Sequence, residues 1–202
     1  MTSYRKFLLY AGTSLAILLP FPGRIAYGVF ALLHFTVSVV LLTLMLHAIN
    51  KMDIKPLRIG ICSLELIALT IFFKQLLVMF CPVAALTIGF SFYLPAVSSV
   101  AVVMMNFKKS NSIKQNCLEN IKKSAVISAF CLVIFILRDV IGFGTITLPK
   151  WQSPLVIRLP EIPFLKPGNS LTAFFATIPG CLVLTVLVFF AVIKIGEKKC
   201  SK

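Results

Sequence analysis

The sequence predicts an all-α integral membrane protein with six transmembrane helices in two inverted-topology three-helix repeats, and three observations lead there. The chain is 59% hydrophobic and only 13% charged, with a mean hydropathy of +1.00, far from the roughly quarter-charged balance of soluble domains. At about 20 residues per bilayer crossing, 202 residues hold roughly six spans with short loops and no soluble domain of useful size. Short apolar segments stopped by proline also recur at matching places in two halves, residues 1–80 and 81–202, the usual pointer to an inverted repeat. The 20 basic residues against 6 acidic ones leave a net charge of +14. Because the basic residues lie between apolar runs and form no patterned patch, anionic lipid headgroups are the implied partner, and nucleic acid is not.

Arg5-Lys6 followed by Phe7 to Leu19 has the charged start and apolar core of a signal peptide, but Pro20-Phe21-Pro22-Gly23-Arg24 follows without a small-x-small cleavage signal, so the segment reads as a retained, short first span. Ile25 to Asn50 is a full crossing interrupted only by His34 and His47. Span three covers about Ile59 to Phe80 and carries Glu65 and Lys74. Span four opens at Cys81-Pro82, is interrupted again at Pro95 and ends near Phe107. A basic loop, Lys108 to Lys123, precedes span five, Ser124 to Ile141, which leaves the membrane through Arg138-Asp139 and Gly142-Phe143-Gly144. Five prolines between Thr145 and Asn169 forbid a continuous helix there, and the apolar residues among them place that loop along the interface. Span six, Ser170 to Ile195, opens with an Asn169/Ser170 cap and bends at Pro179-Gly180.

Six spans put both termini on one face. That face then collects fourteen of the basic residues and the other face six, so the positive-inside rule predicts cytoplasmic termini in a bacterial inner membrane. A five-span chain, with the first segment on the surface, would put the termini on opposite faces. The two matching short segments, Phe7 to Leu19 and Pro82 to Leu94, are three spans apart. An odd separation makes the second enter from the opposite side, and such broken spans characteristically line a site at the bilayer midplane.

Intramembrane charges are expensive and are therefore the functional candidates. Glu65 and Lys74 stand nine residues apart, about 13 Å of helical rise and half a turn of rotation, so they do not pair with each other. Lys74 is near enough to its span end to snorkel. Arg138 and Asp139 are sequence neighbours and point to different faces, so each needs a partner elsewhere: a backbone carbonyl, the Gly142/Gly144 turn or another subunit. His34 and His47 are about 20 Å apart along one helix and make no metal pair. Cys62, Cys81, Cys131 and Cys181 lie in apolar segments, Cys117 and Cys200 flank lysine-rich ones, and no CxxC or Cys/His ligand spacing exists. There is no Gly-rich phosphate loop, nucleophile–base set or carboxylate pair, and hence no visible active site of the chain's own.

The run Leu137-Arg138-Asp139-Val140-Ile141-Gly142-Phe143-Gly144-Thr145-Ile146 resembles the Arg-Glu-aliphatic-aliphatic-Gly-x-Gly-Thr-Leu signature of the Rnf/Nqr membrane subunits. Leu57-Arg58-Ile59, Phe92-Tyr93-Leu94-Pro95 and Lys166-Pro167-Gly168-Asn169-Ser170 resemble further landmarks of that family in the same order, and cytoplasmic termini with a long fifth loop favour the RnfE/NqrD type. The resemblance implies a six-span, inverted-repeat subunit of a complex that couples electron transfer to Na⁺ or H⁺ movement. It also implies a homologous six-span partner subunit, with a 2Fe–2S cluster shared between the two and ligated by one Cys from span one and one from span four of each. In this chain those two positions fall on Gly12 and Ala101. Neither can supply the thiolate that such clusters need, so the expected role is scaffold or ion pathway and not electron carrier. A rival class is the six-span vitamin-binding component of an energy-coupling-factor transporter, which needs a pocket with convergent polar groups and a small-xxx-small coupling face such as Ser124/Ser128 or Ala125/Ala129.

Overall fold

A computed structural model describes residues 3–52, 54, 56–107, 112–159 and 170–200. In chain order they form α1 (Ser3–Leu18), α2 (Ile25–Lys51), α3 (Arg58–Phe80), α4 (Pro82–Ile88), a 3₁₀ segment (Gly89–Phe92), α5 (Tyr93–Asn106), α6 (Ile113–Arg138), a π-helical turn (Asp139–Phe143), strands β1 (Thr145–Leu148) and β2 (Leu155–Arg158), α7 (Ser170–Ala176) and α8 (Ile178–Cys200). Four helical stretches among them are long and apolar enough to cross a bilayer: Ile25–Lys51, Arg58–Phe80, Pro82–Asn106 and Ile113–Phe143. The chain is thus a helical membrane protein by length and composition. α1, at 16 residues, and the apolar stretch Ile178–Val192 of α8 are shorter than a full crossing.

Each boundary has a local cause. Pro20 and Pro22 end α1, since proline lacks the N–H that the next turn would use and disfavours helix in the residue before it. Pro82 starts α4 at the one helical turn where a missing N–H costs nothing. The second interruption of span four lies at Gly89–Phe92 and not at Pro95, which sits in the first turn of α5. Gly89 takes a positive φ of 52°, a conformation that suits glycine, and Pro95 removes the bond that would have continued α4 through Ser91. Span five also begins earlier than the apolar run does. Ser112 and Gln115 form a reciprocal capping box, with the Gln115 N–H donating to Ser112 Oγ (3.3 Å) and the Ser112 N–H to Gln115 Oε1 (3.2 Å), so residues 113–123, read as loop from their charge, are the polar first turns of α6.

The 145–169 segment holds a hairpin over its first part. β1 and β2 pair antiparallel, with Thr145 opposite Arg158 and Leu148 opposite Leu155. Thr, Ile and Val supply β-branched side chains, while Pro149 and Pro154 flank the paired residues without interrupting them. The hairpin tip sits on the end of α3: the Gln152 N–H donates to the Phe80 carbonyl at 2.8 Å, and Trp151 meets the Phe80 ring edge-on at 4.8 Å. The Asn169 half of the predicted span-six cap lies outside the described residues. Span six itself is divided at Thr177, with Pro179 in the opening turn of α8.

α2 is the central helix. It packs against α3, α5 and α6, and its Ala31, Phe35, Val39, Leu42 and Leu46 have no exposed surface, repeating at the three- and four-residue spacing of a helix stripe. α2 meets α6 at Gly28, where a β-carbon would lie 2.5 Å from the Phe135 ring. α1 packs on α5 and α6, α6 on α8, α3 on α5, and α8 also touches α1.

Candidate functional site

The helix break after α1 meets the 3₁₀ break between α4 and α5. The Ser91 hydroxyl, within the 3₁₀ segment, donates to the Pro20 carbonyl just after α1 at 3.0 Å, and the Phe21 and Phe92 rings lie 6.3 Å apart. Beside this junction, Arg138 and Asp139 project from the end of α6, and their different faces serve different purposes.

Arg138 is 4% exposed. Its Nη1 donates to the Phe21 carbonyl at 3.0 Å and, more weakly, to Leu18 O at 3.4 Å, and its Nη2 donates to Ala176 O at 2.9 Å. Leu18 and Ala176 are the last residues of α1 and α7, so one guanidinium bridges two helix C-termini, where unpaired carbonyls concentrate negative charge. The rigid fork of arginine suits this double task as a lysine ammonium would not. Its stem crosses Gly23, where a β-carbon would come within 2.5 Å of Arg138 Cδ.

Asp139 has no exposed surface. Its Oδ2 accepts from the Ile25 N–H (3.2 Å), the Thr147 N–H (2.8 Å) and the Thr147 hydroxyl (2.6 Å), and its Oδ1 accepts from the Thr145 hydroxyl (2.8 Å). Thr147 Oγ1 in turn accepts from the Ala26 N–H at 3.3 Å. Ile25 is the first residue of α2, whose N-cap, Arg24, makes no side-chain cap bond. The carboxylate therefore caps α2 from 114 positions away in sequence and puts negative charge at a helix N-terminus.

The glycines of the same run are equally committed. Gly144 closes the π-helical turn in the left-handed region, at φ 62°. A β-carbon on Gly142 would lie 3.0 Å from the backbone nitrogen of Ala176, so this glycine lets α7 approach closely enough for Arg138 to reach its end. Arg138, Asp139, Gly142, Gly144 and Thr145 thus form one clasp that joins α1, α2, α6, the hairpin and α7. It presents no nucleophile and no free acid or base, and its chemistry is the holding of helix ends.

Glu65 is not part of it. That residue lines a groove between α2 and α3, while Lys74 is exposed. Gly12 is exposed with nothing near its missing β-carbon, and Ala101 lines a largely apolar cavity of about 490 Å³ between α3 and α5. Among the described residues no group of three His, Cys, Asp or Glu could hold a metal, and the cysteines with described side chains are free thiols. The two positions at which the resemblance would place a cluster ligand, Gly12 and Ala101, carry no thiol.

Sequence reasoning missed two buried polar pairs. His34, fully buried on α2, lies between the Phe92 and Phe73 rings at 4.7 and 5.1 Å, with Nε2 3.4 Å from Thr70 Oγ1. The Thr70 hydroxyl already donates to Leu66 O, so it accepts from Nε2–H, and Nδ1 is left without a partner. Asn120 on α6 donates to Thr43 on α2 at 3.0 Å. The available signal for the first was a polar His34 in an apolar run, which needs a partner across the bundle, whereas Asn120 stands among the polar residues that open α6 and carries no such signal. Compared with protein-family models, the chain matches none, and neither curated proteins nor solved structures give a match.

Proposed function

We propose that the chain is an integral membrane subunit of an Rnf/Nqr-type ion-translocating electron-transport complex, serving as scaffold or ion pathway and not as electron carrier. The observation that carries this reading is the clasp. Five positions of the resemblance, Arg138, Asp139, Gly142, Gly144 and Thr145, each have a physical task that suits their residue type: a forked cation for two helix C-termini, a carboxylate for a helix N-terminus, a glycine for close approach, a glycine for the left-handed turn and a hydroxyl for the carboxylate.

In this proposal the halves 1–80 and 81–202 are inverted three-helix repeats and the chain crosses the membrane six times. The packing supports the repeat, because exchanging α1, α2 and α3 for α5, α6 and α8 maps every contact among these six helices except α5–α6 onto itself or another of them. The α1–α5 and α2–α6 contacts map onto themselves, α1–α6 onto α5–α2, α2–α3 onto α6–α8, and α3–α5 onto α8–α1. One asymmetry is that α5 packs on α6 more fully than α1 does on α2. The uneven basic residues favour cytoplasmic termini in a bacterial inner membrane, with anionic lipid around the basic face.

Purification from native membranes tests the proposal. Co-purification with flavin and iron–sulfur subunits and with a second six-span subunit supports it. A chain that is stably monomeric in mild detergent and never accompanies redox subunits overturns it, and a tightly retained vitamin would favour the transporter class instead. The isolated chain is expected to bind no iron, and a 2Fe absorption spectrum from it would refute the placement of the ligand positions at Gly12 and Ala101.

A further inference from the structure

Glu65 has no role in the clasp, yet its position is costly. It lies seven residues into α3, about 10 Å from that helix's start. It faces a groove of about 570 Å³ between α2 and α3, walled by Leu41, Met45, Ile61, Leu64, Leu69 and Phe72. The groove opens outward, with Leu64 and Phe72 70% and 60% exposed, so in a bilayer it faces hydrocarbon. One carboxyl oxygen, Oε2, is buried without any hydrogen-bond partner.

We propose that Glu65 is a lipid-facing proton-binding carboxyl and the chain's site of modification by hydrophobic carbodiimides. An ionised carboxylate in an apolar groove needs a counter-charge or several donors. Neither is at hand. Arg58, one end of α3 away, turns its guanidinium to the Phe107 ring at 5.6 Å, and His47 of α2 also lies beside Phe107. Cys62 is buried and is no counter-charge. An alkali ion would need several oxygens and would find, among the described side chains, only those of the carboxyl itself, because the Ser63 hydroxyl is bonded to Ile59 O and both Ser63 and Thr70 line the separate α3–α5 cavity. A proton is the one cation that neutralises this carboxyl with a single bond. The reaction with a carbodiimide follows: the acid proton moves to a carbodiimide nitrogen while the carboxyl oxygen bonds the central carbon. The resulting O-acylisourea rearranges to a stable N-acylurea, with nothing leaving and no electrons exchanged.

The inference stands whether or not the chain belongs to an electron-transport complex, and its test needs no partner subunit. The full chain in phosphatidylcholine liposomes is treated with dicyclohexylcarbodiimide at neutral pH and mapped by peptide mass spectrometry. The expected result is an adduct on Glu65 in preference to Glu119, unaffected when K⁺ is exchanged for Na⁺ and lost in Glu65→Gln. Three results overturn the proposal: no adduct on Glu65; reaction only with a water-soluble carbodiimide and an added amine, the mark of an ionised carboxylate in contact with water; or protection by Na⁺, the mark of an alkali-ion site. The wild-type labelling pattern decides among these without depending on how the variant folds.

Discussion

Arg138 shows how one side chain substitutes for two helix caps. Removing it leaves the Leu18, Phe21 and Ala176 carbonyls without their donor, and Arg138→Ala is expected to cost on the order of 2–4 kcal/mol against unfolding in detergent. Arg138→Lys keeps the charge but cannot span both ends, so it should fall between wild type and alanine. Equal stability of the lysine and arginine forms would refute the bridging geometry. The glycines offer a sharper contrast. Gly142→Ala drives a methyl group against the α7 backbone and should lose about 1–3 kcal/mol. Gly12→Ala, in open space within a helix, should be neutral or gain up to about 1 kcal/mol. Thermal unfolding of the two variants side by side measures the difference.

The helices here are mostly ended by chemistry and not by running out of apolar residues. Where cap and proline signals lie within a few residues of the boundary, the sequence reading and the structure agree, as at the end of α1 and the start of α4. It misread the start of α6 because charge density was taken as the loop signal, whereas the Ser112/Gln115 box begins a helix whose first turns are solvated. Ser112→Ala should therefore fray that end at a cost of about 1 kcal/mol, seen as faster backbone hydrogen exchange over residues 113–117 with no change near Arg138. The hairpin was hidden for another reason. The prolines are consistent with the absence of helix over the described residues 145–159, but strand pairing depends on what the segment meets, and here it meets the end of α3 through Phe80. Position-specific pairing of this sort has no local periodicity to reveal it.

At the level of the bundle, the proposed topology makes a direct prediction. Single cysteines at Ser112 and Lys150, in a background lacking the native cysteines, should react with a membrane-impermeant maleimide from opposite faces, Lys150 in intact cells and Ser112 only after permeabilisation. Labelling of both from the same face would remove the six-span arrangement and with it the inverted repeat.

Composition and proline placement were enough to read a helical membrane protein, the end of α1 and the start of α4, because hydropathy and backbone chemistry act over a few neighbouring residues, whereas the break read at Pro95 lies at Gly89–Phe92. Arg138, Asp139, Gly142 and Gly144 were also legible as unusual, since buried charge and paired glycines stand out in an apolar run. Their partners were not. Asp139 caps a helix that begins 114 residues earlier, Arg138 ties the ends of α1 and α7, and His34 finds Thr70 across the α2–α3 contact. Each of these pairings exists only once the helices have packed, because a helix terminus leaves its carbonyls or amides unsatisfied in every sequence, and folding alone determines which distant side chain arrives to meet them.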